Sequence, residues 1–446
     1  MSDFEQALSP AENRQSSSEP AGSGGLTTVA RMKAIFAGSA GNLIEWYDFY
    51  AYAFTALYFS HHFFPSGDRT AQLLGTSGIF AIGFLARPLG GWFFGWYADN
   101  KGRRNAMILS ILMMGCGSLM IAALPTFATI GAAAPVLLLV ARILQGFSTG
   151  GQYGTAATYL SEISFGKHRG FFASFQYVTL IGGQLCALLV ILIIQQFVDQ
   201  EQMGDWGWRV PFLIGALAAF SIMLFRHMIH ESATVRDPHP HAGTLRGLLP
   251  HWRSFLTVLG ITAGGSLVFY VFTTYMQKYL VNTAHMPTET VNWIMTAVLI
   301  PFMLMQPLFG ALSDRIGRRT NVLLFGVLAT LLTFPLLSRL SHVQSSIEAF
   351  VLVLAGLAIV SLYTSISGLF KAELFPVHVR AVGVSVAYGI GNAVFGGSAE
   401  YVALSFKEAG FESNFYWYVT ALGFLSLITA VLMRNTRGKD PLQDAN

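Results

Sequence analysis

Charge is scarce in this chain. Asp, Glu, Lys and Arg make up 11% of its 446 residues, against about 25% in an ordinary soluble chain. That shortage excludes a solvated globular surface over most of the length. Cysteine is nearly absent: only two are present, and Cys116 and Cys186 both fall inside apolar runs. A disulfide framework and a cysteine metal site are thereby excluded, and both are read as small core residues. The apolar runs hold no histidine with a nucleophile or metal partner, so no enzyme and no metal site is expected. His230, His239, His241 and His251 cluster in one polar stretch without recurring ligand spacing. The net charge of +4 comes with no basic stripe, and no nucleic-acid partner is expected.

Apolar sequence is abundant. Hydrophobic residues reach 53% and the mean hydropathy is +0.52. Repeated runs of about 20 apolar residues are the length that crosses a bilayer as helix. We read twelve spans: 33–60, 72–98, 105–125, 135–161, 170–196, 209–229, 254–280, 290–312, 320–338, 347–370, 381–406 and 414–433. The fold class is therefore an all-α membrane protein. Residues 1–30 form a polar tail without the basic start and apolar core of a cleaved signal, and are expected to be disordered. Residues 31–229 and 254–433 form two six-helix bundles, joined by a polar linker over 230–253 and followed by a short tail, 434–446.

The two bundles are related. Gly95-xxx-Asp99-Asn-Lys-Gly-Arg103-Arg104 returns as Gly310-xxx-Asp314-Arg-Ile-Gly-Arg318-Arg319, every member displaced by 215 positions. Glu162 and Arg169 return as Glu373 and Arg380, displaced by 211. Such self-similarity is the mark of a duplicated unit. Orientation follows from the cations. With the N-terminus inside, 20 of the 27 Lys and Arg lie on cytoplasmic segments and 5 on the outer side, Lys278 among the latter and Lys371 among the former. Both termini are thus expected in the cytoplasm. The repeated acids and bases, Asp99, Arg103, Arg104, Glu162 and Arg169 with Asp314, Arg318, Arg319, Glu373 and Arg380, are expected to form cytoplasmic charge networks that break and reform as a gate.

Ionisable groups in hydrocarbon are costly and need a reason. Span 1 carries Glu45 and Asp48, three apart and on one helix face. Span 2 carries Arg87, span 4 Arg142 and span 11 Glu400. At about 1.5 Å per residue, Glu45 is roughly 16 Å and Arg87 roughly 18 Å above the cytoplasmic surface. Arg87 is thus level with Glu45, and a long Arg142 could reach down toward Asp48. Two buried guanidiniums suit a small dianion, because each binds a carboxylate bidentately. Gln176, Tyr177, Gln184, Tyr270 and Tyr388 are polar groups on inward faces and complete a candidate substrate site. Glu45, Asp48 and Glu400 are the candidate proton carriers. The glycine cluster 389–397 is either a packing surface or a place of flexing.

The duplicated turn after spans 2 and 8 resembles the signature of the major facilitator superfamily, and Arg142-xxx-Gly146 is similar to its span-4 motif. The first copy departs from the pattern at Asn100, where a base is usual. Leu180-Ile-Gly-Gly183 stands where antiporters have a Gly-Pro pattern, which favours symport. Gly41-Asn-Leu-Ile-Glu45-Trp-Tyr-Asp48-Phe-Tyr50 and Trp206-Gly-Trp-Arg-Val-Pro211 resemble the metabolite:proton symporters within that superfamily. The stretches 173–184, 273–283, 363–368 and 395–405 resemble carriers of α-ketoglutarate within that group. The resemblance implies proton symport of α-ketoglutarate across a bacterial inner membrane, without a cofactor, by a monomer held in lipid. Citrate, shikimate and other dicarboxylates are the alternative substrates, then a zwitterionic osmolyte. Proline/betaine symporters share the span-1 motif and add a C-terminal coiled coil, whereas residues 434–446 hold no heptads.

Overall fold

The computed structural model describes residues 28–101, 103–150, 168–226 and 244–433. Among them there is no strand. Twelve helices span: α1 Thr28–Phe63, α2 Arg69–Lys101, α3 Arg103–Ala123, α4 Ala133–Thr149, α5 Arg169–Gln195 and α6 Val210–Arg226 come first. The second six are α7 Arg246–Asn282, α8 Thr288–Ile316, α9 Arg318–Leu340, α10 Ser346–Glu373, α11 Val379–Glu408 and α12 Glu412–Leu432. Helices are required here because lipid offers backbone N–H and C=O groups no partner, so each segment must satisfy its own. α1 starts at Thr28, five residues before the expected boundary. The end of the expected linker is also helical, over Leu245–Leu248 and again from Trp252. The remainder of the linker and of the two tails lies outside the described residues.

Four of the long helices are interrupted, α5 only by a single turn residue, Ser174. α7 widens to a π turn at Val271–Tyr275, and α11 does so at Asn392–Gly396, inside the glycine cluster. α10 breaks at Ser365 and Ile366 and resumes at Ser367. Such π turns release carbonyls from the helical ladder and favour functional sites.

Small residues decide how the helices cross. α2 lies against α4 with Gly83 and Arg87 facing Gly146 and Gly150. A Cβ at Gly146 would strike the carbonyl oxygen of Gly83, and one at Gly150 would strike that of Arg87. The backbones touch, as small-xxx-small faces permit in lipid. This closeness brings the only two arginines of the sequence's apolar runs beside one another. α9 and α12, which carry no central charge, have the least buried apolar windows of the eight helices that are both long and strongly apolar, 39% each. Cys116 is exposed on α3 and Cys186 only partly buried, so neither is a core residue as its apolar context suggested.

The two halves touch at both ends of the bundle. At one end the repeated turn is built around Gly317, whose φ of +95° ends α8 in a backbone region that side chains avoid. The chain reverses there and returns Arg318 onto Asp314, Nη1 to Oδ1 2.8 Å. Asp314 also reaches the first half. Its Oδ1 accepts from the N–H of Gly170 at 2.7 Å and its Oδ2 from that of Phe171 at 3.1 Å. These are unsatisfied donors at the start of α5, where a carboxylate is favoured. At the other end Lys278 donates to the carbonyl of Ala53 at 2.7 Å and to Glu400 at 3.0 Å. Asn282 donates to Thr70, and Asn292 donates to Tyr58.

Candidate functional site

The site is organised on one aromatic ring. Phe49 of α1 has the guanidinium carbon of Arg87 4.2 Å and that of Arg142 4.8 Å from its centroid. Arg87 also lies 4.0 Å from the ring of Phe84 and 5.2 Å from that of Trp46. Arg142 lies 4.3 Å from Tyr52 and 5.3 Å from Phe80. Desolvated cations on ring faces gain about 2 kcal/mol, far less than the cost of removing a charge from water. Arg142 is wholly buried and Arg87 nearly so. Among the described residues neither is paired with a carboxylate. Nε of Arg87, and Nε and Nη2 of Arg142, have no hydrogen-bond partner there. The arrangement holds two positive groups with donors to spare, side by side, in an apolar collar.

That corrects two pairings drawn from depth alone. Arg87 takes ring faces rather than Glu45. Arg142 does not touch Asp48, because Gln145 stands between them. Arg142 Nη1 donates to Gln145 Oε1 at 2.7 Å, and Gln145 Nε2 donates to Asp48 Oδ2 at 2.8 Å. Ser118 of α3 donates a short hydrogen bond to the same oxygen. Asp48 Oδ1 has no hydrogen-bond partner among the described residues. An acid, an amide and a guanidinium thus form one chain. Gln145 and Ser118 are neutral, and nothing in their sequence context marks them. The i, i+3 spacing of Arg142 and Gln145 is the one available hint.

Across from Arg87 the second half contributes Tyr270, just before the π turn of α7. Its polar side-chain neighbours are Tyr50, Asn392 and Arg87. Gln184 of α5 neighbours Tyr50, and both its amide atoms are buried without a hydrogen bond among the described residues. Arg87, Gln184 and Tyr270 are therefore all neighbours of Tyr50. Tyr388 is farther along α11 and packs on Lys371, 4.1 Å from Nζ to ring centroid. Gln176 and Tyr177 are buried in α5, and Tyr177 meets Phe269 of α7 edge-on at 5.8 Å.

The remaining candidates divide. Glu45 and Asp48 are both buried on α1, and Asp48 is one amide away from Arg142. Glu400 is buried too, but its Oε2 is held by Lys278, which the cation count had assigned to the outer surface and which is 0% exposed. Lys371, assigned to a cytoplasmic segment, is likewise 0% exposed. Of the C-terminal gate set, Arg318 joins Asp314 and approaches Glu373 at 3.7 Å. Arg319 departs from the expected network and donates to the carbonyls of Ala430 and Val431 at the end of α12. Arg380 donates to the carbonyls of Ala372, in the last turn of α10, and Phe375, just beyond it. Arg169 is buried at the start of α5. The side chains of Asp99, Arg103 and Arg104, and all of Glu162, lie outside the described residues. No group of three metal-ligating side chains occurs among the described residues.

The chain matches the family models Sugar (and other) transporter over residues 33–235 and Major Facilitator Superfamily over 266–445. It is 55% identical to the α-ketoglutarate permease of Escherichia coli strain K12, over 92% of this chain and 95% of that protein. It is 31% identical to a citrate-proton symporter of Klebsiella pneumoniae, over 95% and 96%. Its fold matches that of the xylose transporter XylE from Escherichia coli, with a TM-score of 0.72, 16% identity and coverage of 90% and 99%. The relatives are transporters, and the twelve helices with their duplicated turn are the expected architecture. The chain belongs to the major facilitator superfamily, in the family that includes the α-ketoglutarate permease.

Proposed function

We propose that this protein carries α-ketoglutarate together with protons across the bacterial inner membrane, by alternating access. The observation that carries the reading is the pair of buried guanidiniums on Phe49 with unmatched N–H donors, a site made for a carboxylate. The 55% identity to an α-ketoglutarate permease supports this particular anion. The substrate binds between the halves 31–229 and 254–433, at Arg87 and Arg142, with Gln184 and Tyr270 beside it and Gln176, Tyr177 and Tyr388 as outer contacts. The Lys and Arg bias sets both termini in the cytoplasm, and a monomer suffices because both halves lie in one chain. The test is uptake of labelled α-ketoglutarate into proteoliposomes, with and without an imposed pH gradient, competed by citrate, succinate, shikimate and betaine. Gradient-stimulated uptake that unlabelled α-ketoglutarate blocks better than any of these four is the expected result. Uptake indifferent to the gradient, or blocked better by betaine, overturns the proposal.

Asp314 acts as the catch of the cytoplasmic gate in this reading. It joins the donors of α5 to the turn after α8, so it breaks when the halves part at that end. Asp314→Asn keeps an acceptor but loses the charge on the helix start and on Arg318, each worth about 1 kcal/mol or more. Exchange is expected to change several-fold, with insertion unaffected. Wild-type counterflow rates in this variant would remove Asp314 from the gate.

A further inference from the structure

Lys371 is a buried cation that the two-arginine site leaves unused. It lies in the short helix Ser367–Glu373 that follows the break in α10. Its Nζ donates to Ser367 Oγ at 2.7 Å and to Tyr363 OH at 3.1 Å. The face of Tyr388 from α11 is 4.1 Å from it. These partners orient the amine toward Tyr363 and Tyr388. A cation wholly removed from water and lipid is costly to keep, and lysines so placed mark ion or substrate paths.

Its surroundings lead back to Arg87. Tyr363 neighbours Thr262, Ser266 and Tyr270 of α7, and Tyr270 in turn neighbours Arg87. On α11, Gly389 follows Tyr388, and a Cβ there would be 3.7 Å from Pro88, the residue after Arg87. Arg87 of the first half and Lys371 of the second are thus joined through Tyr270 and Tyr363, with Tyr388 on the Lys371 side.

We propose that Lys371 is the second anion contact of the substrate site and selects dicarboxylates over monocarboxylates. The near carboxylate of the substrate is shared by Arg87 and Arg142, which lie on the one ring of Phe49, and the far one is on Lys371. A dianion then ties α2 of the first half to α10 of the second. A monoanion leaves Lys371 without its ligand and the halves untied. This inference rests on the transport reading above, but it concerns which charge count is recognised.

The test compares two competitors of equal chain length, glutarate and valerate, against counterflow of labelled α-ketoglutarate in proteoliposomes. In the wild type, glutarate is expected to compete about 10- to 100-fold better, the worth of one charged hydrogen bond. In Lys371→Met that advantage is expected to vanish through loss of glutarate affinity, with valerate unchanged. If Lys371→Met keeps the wild-type ratio, even with a lower maximal rate, Lys371 supports the fold only and the inference fails. Should that variant not insert, Ser367→Ala removes one of the two groups orienting Nζ and is expected to lower the ratio several-fold, and an unchanged ratio there overturns the inference equally. Absence of α-ketoglutarate counterflow in the wild type would instead sink the transport reading itself.

Discussion

Arg87→Lys is expected to cut α-ketoglutarate transport at least tenfold, and Arg87→Gln about 100-fold or more, at unchanged expression. The lysine variant keeps the charge but loses the planar fork that grips both oxygens of a carboxylate. It also loses the flat face that lies on Phe84 and Phe49 at 4.0 and 4.2 Å. The glutamine variant removes two charged hydrogen bonds, each worth about 1.5–3 kcal/mol. The loss should appear mainly as a higher half-saturation concentration if Arg87 binds the ground state. It should appear in the maximal rate if the contact tightens only as the halves close. Initial uptake rates over a substrate range separate the two. Wild-type kinetics in Arg87→Lys would mean that the guanidinium is structural and the anion binds elsewhere.

Asp48→Asn is expected to abolish accumulation driven by a pH gradient while leaving counterflow within a few-fold of wild type. Asp48 shares one oxygen between Ser118 and Gln145, and Gln145 is held in turn by Arg142. A substrate carboxylate that engages Arg142 competes for the guanidinium that fixes Gln145. Freed of that hold, Gln145 no longer presents its amide to Asp48, and the acid loses a donor and the nearby positive charge. Both changes favour the protonated carboxyl. Proton and substrate therefore promote one another, and by linkage the effect runs both ways. Asparagine cannot exchange the proton, so exchange of substrate continues without a gradient to drive it. If Asp48→Asn accumulates substrate like the wild type while Glu45→Gln does not, the coupling proton belongs to Glu45. If both accumulate normally, neither acid is the coupling group.

Much of this arrangement could be read from the residues because lipid makes few things cheap. Arg87 and Arg142 stood out as cations in apolar runs, and twelve helices followed from runs that must satisfy their own backbones. The duplicated turn announced Asp314 and Arg318 together, since only Gly317 can take the reversal between them. Other features carried no such mark. Gln145 and Ser118 are uncharged, so nothing showed that they separate Arg142 from Asp48. Lys371 is two residues from Glu373, in what looked like a loop, but the helix runs on to Glu373 and turns the lysine inward. Lys278 was lost in the same way at the other end, where Glu400, 122 positions away, meets it. The π turn at Val271–Tyr275 has no local signature and reads as any apolar helix, whereas the one at Asn392–Gly396 falls in the glycine cluster. Depth counted along a straight helix gave the level of each charge but not its azimuth, and partners are chosen by azimuth.

The contact of Gly170 with Gly310 restricts the geometry of motion. A Cβ on either would strike the carbonyl oxygen of the other, so the two backbones touch with no side chain between them. Sliding α8 along α5 would bring Ser174 or Ser313 into that gap, and both carry a Cβ that does not fit. The freedom left is separation along the line joining the helices. Lys278, bonded to Ala53, is at the far end of the same bundle. Two rigid bodies that cannot shear at one end and are tied at the other have one easy coordinate: they rock, parting at one end as they close at the other.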